Sequence, residues 1–453
     1  MSFFKAYDMR GTFGVDFDLD VVYRVGRHLP EVIGGGEPLR VLVGRDARTS
    51  SPDVAGALVA GLEDAGAQVD DIGPATTPMV YFFTAEEGFD ASVMVTASHN
   101  PPSDNGLKVS RAGAVPVGYD SGLAEVERII SEDGAVRPDA GASGQNDAAG
   151  GTARLSRYCA WLKEHSSGDF SNLRFAVDCS DGMASLVARD LFPGALLLNS
   201  VPDGAFPHHA PNPLLAEARE QLAECVRANG LDCGVIFDGD ADRCMFVDET
   251  GAFIQPDYLI PVLAGTFDEK GSVIHDVRTS RAAIEAIRAM GAKPIMGKVG
   301  HAFAKMLLRE TGAVCGGELA GHYYFRDFHF CDSGEWAAMR ILSAFAAAKR
   351  NGQSVSEFLA PITRKYANSG EMNFKVADKP AAIERVLAAT SSFGRELSRE
   401  TMDGVRVEFA EGWVSVRQSN TEPYLRLLAE CDTAERLGSW KNSMIAALNL
   451  DGE

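Results

Sequence analysis

The densest chemistry in the chain lies in Cys233-Gly234-Val235-Ile236-Phe237-Asp238-Gly239-Asp240-Ala241-Asp242-Arg243, where an apolar strand ends in carboxylates at alternate positions. In an extended strand Asp238, Asp240 and Asp242 share a face but stand about 6 to 7 Å apart, so the loop must bend before they can hold one ion. Gly239 allows that bend. Three hard oxygen donors suit Mg²⁺, with room left for water or a phosphate oxygen. An EF-hand opens with the same spacing and would find Glu249 at its twelfth position. Arg243 stands where that turn needs glycine, however, and Met245-Phe246-Val247 read on as a buried strand.

Three further stretches are polar at the ends of apolar runs. Val95-Thr96-Ala97-Ser98-His99-Asn100-Pro101-Pro102 follows a buried-strand pattern, and its proline pair excludes both a continuing helix and a continuing central strand. Ser98 is expected to sit in a rigid loop, handed to solvent. It is either part of a strand-end turn or a covalent phosphoryl carrier. Gly316-Gly317-Glu318-Leu319-Ala320-Gly321-His322 offers one carboxylate and one imidazole between glycines. Glu318 there is able to bridge vicinal hydroxyls. Arg417-Gln418-Ser419-Asn420-Thr421-Glu422-Pro423 gathers an arginine, two hydroxyls and an amide around a turn. That donor set fits a phosphate monoester, and an ordinary hairpin turn accounts for it equally well.

Strands and helices must position these loops. Arg40–Asp46, Arg174–Asp178 and Val273–Val277 are short β-branched-rich runs, each followed by a polar turn and then a helical pattern. One strand-turn-helix unit used three times accounts for them, although all βα units share this grammar. Ser50, Ser51 and Pro52 are good start residues for the first helix, and Gly239 is the expected bend of the acidic loop. Beyond Tyr366 the pattern changes: Val405–Phe409, Trp413–Arg417 and Tyr424–Leu427 alternate with period two, as in a half-buried antiparallel sheet.

The expected fold is α/β: three similar α/β domains with mixed sheets, then a C-terminal α+β domain, arranged around a central cleft. Composition places the boundaries at 1–150, 151–248, 249–365 and 366–453. The first follows the Gly- and Ala-rich run 140–151, read as a linker, and the second the turn at Asp248–Gly251. The third follows an amphipathic helix around Trp336 to Ala348.

With 453 residues, 45% of them hydrophobic, the chain has ample material for several cores. Its formal net charge of -20 argues against nucleic-acid binding, so any anion must be held locally. Charges among the first ten residues and the lack of a long apolar stretch predict a cytoplasmic protein with no membrane partner. The eight cysteines show no metal-binding spacing and read as scattered core thiols. Neither a P-loop, a dinucleotide fingerprint nor a G-x-S-x-G nucleophile elbow is present.

Thr96–Pro101, Asp238–Arg243, Gly317–His322 and Arg417–Thr421, in this order, resemble the α-D-phosphohexomutase superfamily, nearest its phosphomannomutase/phosphoglucomutase branch. The resemblance covers essentially the whole chain. It implies a reversible mutase acting on hexose phosphates, with Ser98 as a phosphoserine and a hexose 1,6-bisphosphate as intermediate and activator. It further implies Mg²⁺ held by Ser98, Asp238, Asp240 and Asp242, with Arg243 beside the phosphoryl group. Lys108 matches a general acid/base position, provided that burial or cations depress its pKa.

Arg10, His301 and His322 match cleft residues. Glu318 would hold the sugar's O3 and O4, and Arg417, Ser419, Asn420 and Thr421 its non-reacting phosphate. Two positions depart from the family pattern. Ala320 replaces a common serine, and Arg278 stands where some members have lysine, orienting phosphate rather than moving a proton. The implied state is a monomer or weak homodimer. An amino-sugar phosphate mutase, a phosphatase and a non-catalytic phosphosugar-binding protein are the alternatives.

Overall fold

The structure is a computed structural model that describes residues 3–34, 38–134, 148–166, 168–418 and 424–448. Three mixed sheets follow one another with the same layout. In each, a central strand lies between two parallel neighbours, and an antiparallel pair extends one side. Arg40–Arg45, Phe175–Asp178 and Ser272–Asp276 are those central strands. The three similar runs in the sequence therefore occupy one position used three times. The remaining sheet is antiparallel, with Tyr424–Cys431 paired to Gly412–Gln418 and to the short strands near 367–375.

Chemistry-bearing loops leave these strands at their carboxyl ends, where backbone groups no longer have ladder partners. Ala91–Val95 runs into the Ser98 loop, Cys233–Phe237 into the acidic loop, and Cys315–Gly317 into the Glu318 loop. Each of these strands is buried along its full length, as their continuous apolar runs require.

Several local expectations change. The run 140–151 is read as a linker, yet Ala148–His165 is a helix that begins inside it; 135–147 lie outside the described residues. The helix holds because Tyr158, Cys159 and Leu162 are buried in a core shared by the first three units. Arg154 also pairs with Asp70 and Glu87 of the first unit, at 2.6 and 2.7 Å. The turn after Asp248 closes a hairpin, and Phe253–Ile254 pairs back onto Cys244–Asp248, so the second sheet runs on past residue 248.

Gly334–Arg350 is not amphipathic. Most of its residues are buried, including Glu335 and Arg340, because it lies within the shared core. The helical pattern after Asp178 shortens to two turns, Met183–Leu186 and Ala188–Leu191. Ser50 makes no capping bond to its helix. Its hydroxyl instead accepts from Asn105 Nδ2 at 2.8 Å, while Ser51 donates to Asp46 at 2.5 Å. All eight cysteines are free thiols. Among the described residues, no helix is long and apolar enough to cross a membrane.

Asp257 lies fully buried at the start of the helix Arg281–Ala289, where Ser280 N donates to its Oδ2 at 2.8 Å. Burial, together with Glu430 and Asp276, pushes its carboxyl up to about 7. A folded-state pKa raised above the unfolded one costs stability as pH rises, because folding then takes up a proton or buries the charge. Asp257→Asn keeps the acceptor without the charge. It should raise the melting temperature at pH 8, and the gain should shrink toward nothing as pH falls to about 4. Thermal unfolding across that range measures it.

Candidate active site

Ser98 is 3% exposed, not handed to solvent. Its backbone takes φ 51, a left-handed conformation that costs energy for a residue with a side chain. The loop keeps this shape because Arg48 is buried beneath it. The Arg48 guanidinium donates to Ser98 O at 2.9 Å, Asn100 O at 2.7 Å and Asp104 O at 2.9 Å, and also to Pro101 O. Asp46 anchors both Arg48 Nε at 3.0 Å and Thr96 Oγ1 at 2.7 Å, and Thr96 Oγ1 accepts from Ser98 N at 2.8 Å.

The acidic loop closes against Ser98 from the second unit. Ser98 Oγ donates to Asp238 Oδ2 at 2.7 Å, and Arg243 reaches both, at 2.9 Å to Asp238 Oδ2 and 3.4 Å to Ser98 Oγ. The bend expected at Gly239 is present: Gly239 and Asp240 form a turn closed by Ala241 N donating to Asp238 O at 3.3 Å, and Ala241 follows with φ 63. Gly239 is needed for a second reason: a Cβ there would lie 2.5 Å from Ser98 O. The glycine lets two loops touch backbone to backbone.

Asp238, Asp240 and Asp242 each bring an oxygen within 4.8 Å of the others. Lys108 stands between two of them, 2.6 Å from Asp240 Oδ2 and 2.5 Å from Asp242 Oδ2, and Thr77 Oγ1 also donates to Asp240. Among the described residues, Asp240 Oδ1 and Asp242 Oδ1 are buried without a hydrogen-bond partner. Burial pushes the Asp238 carboxyl up to about 7, against the pull of Arg243. Orphaned hard oxygens and a carboxylate short of positive charge are what a divalent cation would correct, so the residues fit Mg²⁺.

The depressed pKa set as a condition for Lys108 is not met. Burial alone would lower its pKa, but Asp240 and Asp242 raise it, so it remains an ammonium. His322 behaves likewise: against burial, Asp242 and Glu318 raise it to about 9. Its ring nitrogens lie 3.5 Å from Asp242 and 3.4 Å from Glu318. Despite burial, Glu318 is lowered to about 2 by His322, Arg278 and Tyr324. His301 opens the helix His301–Thr311 with its ring 6.0 Å from those of Tyr7 and His322, and burial keeps it neutral. Arg10 donates to Asn100 Oδ1 at 3.0 Å and so faces the Ser98 loop.

Four models of one family cover the chain in order: phosphoglucomutase/phosphomannomutase domain I over residues 1–137, domain II over 156–251, domain III over 255–366 and the C-terminal domain over 371–447. The chain is 38% identical over 447 residues to a phosphomannomutase of Salmonella montevideo, with 94% of each covered. The chain belongs to the phosphoglucomutase/phosphomannomutase family. It is a phosphohexomutase, an isomerase, as its ordered motifs imply. A phosphomannomutase of Escherichia coli K12 is 36% identical over 94% of each chain. The crystal structure of a family protein from Burkholderia thailandensis superposes with a TM-score of 0.84 at 30% identity, covering 99% of this chain and 97% of that one.

Within this mutase, Arg278 joins the third unit to the fourth. It grips Asp276 at 2.6 Å and reaches Glu371 of the fourth unit at 3.4 Å. Arg417 is buried and pairs with Asp403 at 3.0 Å, while Ser419, Asn420 and Thr421 lie outside the described residues. Arg48, Asp46, Thr77, Glu371 and Asp403 escaped the sequence reading. Only Arg48 and Asp46 left a trace there, as charges in a turn directly after a buried strand. Arg48→Lys retains one point charge where a planar fork bonds four carbonyls. It should lower the melting temperature by several degrees in thermal unfolding. An unchanged melting temperature would mean that the loop holds without the clamp.

Proposed function

We propose that the protein moves a phosphoryl group reversibly between O1 and O6 of hexose phosphates, interconverting mannose 1-phosphate with mannose 6-phosphate and glucose 1-phosphate with glucose 6-phosphate. The observation that carries this reading is the contact of Ser98 Oγ with Asp238 and Arg243 inside a cluster of three carboxylates. A serine so placed is a carrier beside a ready cation site rather than a surface turn.

Ser98, as phosphoserine, donates its phosphoryl group to the free hydroxyl of the bound sugar phosphate. A hexose 1,6-bisphosphate results, reorients, and returns its other phosphoryl group to Ser98 Oγ. Ser98, Asp238, Asp240 and Asp242 would hold Mg²⁺, which when bound would supply positive charge to the phosphoryl oxygens. Arg243 and Arg10 add fixed positive charge on the protein side.

Lys108, charged as it is, protonates the sugar oxygen that gives up phosphoryl in the return transfer. His322, held between Asp242 and Glu318, and His301 line the sugar. Glu318 accepts from O3 and O4, whose configuration mannose and glucose share. Arg417 with Ser419, Asn420 and Thr421 grips the phosphate that does not react, and Arg278 orients it. Because this grip takes phosphate whichever end reacts, one site serves both orientations. The protein acts in the cytoplasm, as a monomer or weak homodimer.

The test is turnover of mannose 1-phosphate, glucose 1-phosphate and glucosamine 1-phosphate by the Mg²⁺-loaded enzyme with a catalytic amount of hexose 1,6-bisphosphate. Mannose and glucose phosphates should turn over fastest, with no net release of inorganic phosphate. Removal of the metal should abolish the rate, and Ser98→Ala should lower it by about 10³ or more. Faster glucosamine turnover would make the protein an amino-sugar mutase, and stoichiometric phosphate release a phosphatase.

A further inference from the structure

Asp403 sits in the turn between the strands Glu396–Glu400 and Val405–Phe409, far along the chain from the Ser98 loop. Its carboxylate does two things at once. It accepts from Arg417 Nη2 at 3.0 and 3.2 Å, and it accepts from Val299 N of the third unit at 2.9 Å. The neighbouring Gly300 N donates to Glu318 Oε1 at 2.7 Å. Two successive backbone N–H groups are therefore held by two carboxylates, one from the fourth unit and one from the sugar loop. Tyr7 of the first unit closes the junction by donating to Val299 O at 3.1 Å.

The backbone is shaped for this arrangement. Gly404 takes φ +71, and a Cβ there would lie 2.4 Å from Val416 O and 2.5 Å from Arg417 Cβ. Asp403 is thus fixed on the strand that carries Arg417. Gly300 takes φ +131, and a Cβ there would meet the Tyr7 ring at 2.8 Å. The Arg417 side chain is 3% exposed and, among the described residues, its Nε is buried without a partner. Its Nη2 bonds to Asp403 are what orient the guanidinium, leaving Nε for a ligand oxygen.

We propose that Asp403 is a positioning residue that ties Arg417 to the Val299–Gly300 backbone, so that the phosphate grip and the sugar loop form one binding surface. The proposal rests on the mutase reading above. It acts through Arg417 and does not touch the reacting atoms. Its effect belongs to substrate binding, in either orientation, rather than to the transfer step.

Binding of glucose 6-phosphate and mannose 6-phosphate to the full chain by calorimetry, with KM and kcat for both 1-phosphates and the melting temperature without ligand, tests this. Asp403→Ala should weaken binding of both sugars about tenfold and raise both KM values alike. The kcat should stay within about threefold, while the ligand-free melting temperature should fall by a few degrees because Arg417 is left buried without its carboxylate. Asp403→Asn, which keeps an acceptor without the charge, should fall between and serves if the alanine variant folds poorly.

Wild-type affinity in both variants, tighter binding, or an effect confined to one sugar would each overturn the proposal. So would a loss in kcat with KM unchanged. If the wild-type protein binds neither sugar phosphate, the mutase reading fails, and the proposal with it. If the wild type binds and the variants match it, the positioning role alone fails.

Discussion

The structure depends on the contact between the Ser98 loop and the acidic loop, two segments 140 residues apart in the chain. A buried serine in a left-handed conformation has no reason to persist by itself. It persists here because Arg48 ties down the loop from below while Asp238 and Arg243 meet its hydroxyl from above. Gly239 is what allows the two backbones to approach. The shared core beneath them, running through the helices Ala148–His165 and Gly334–Arg350, fixes the first three sheets relative to one another. Small errors in that core would separate the serine from its carboxylates.

The second constraint is charge. Three buried carboxylates stand together in a chain whose net charge is already -20, and Lys108, Arg243 and His322 are drawn in against them. The cations so recruited are the groups that phosphoryl transfer needs near the reacting oxygens. The fourth unit repeats the principle, where Glu371 and Asp403 hold Arg278, Arg426 and Arg417. Acidic partners keep a set of buried cations soluble and oriented, and phosphate is the natural competitor for those cations.

The four chemical loops were legible in the sequence because each follows a buried strand, and such strands announce themselves as apolar runs ended by polar residues and glycine. The repeated unit was legible for the same reason: the three β-branched runs hold the same place in their sheets. What could not be read depends on partners from elsewhere in the chain. Ser98 looked exposed because prolines follow it, and nothing local reports that Arg243 and Asp238 cover it. Whether burial depresses the Lys108 pKa is only a condition in the sequence, and the two carboxylates that decide it lie more than a hundred residues away. Ser50 and Ser51 looked like helix caps, yet the Asn105 and Asp46 side chains claim them. The Gly-rich run before residue 151 looked like a linker because its own composition cannot reveal the core that receives Tyr158 and Leu162.

The central claim is that Ser98 carries the phosphoryl group, and intact-mass analysis with peptide mapping tests it most directly. Protein treated with hexose 1,6-bisphosphate should carry one phosphoryl group, mapped to Ser98, and should lose it to glucose 1-phosphate or mannose 1-phosphate with the label recovered in the sugar. A phosphoryl group that maps elsewhere, or one on Ser98 that added sugar phosphate leaves in place, would contradict the account.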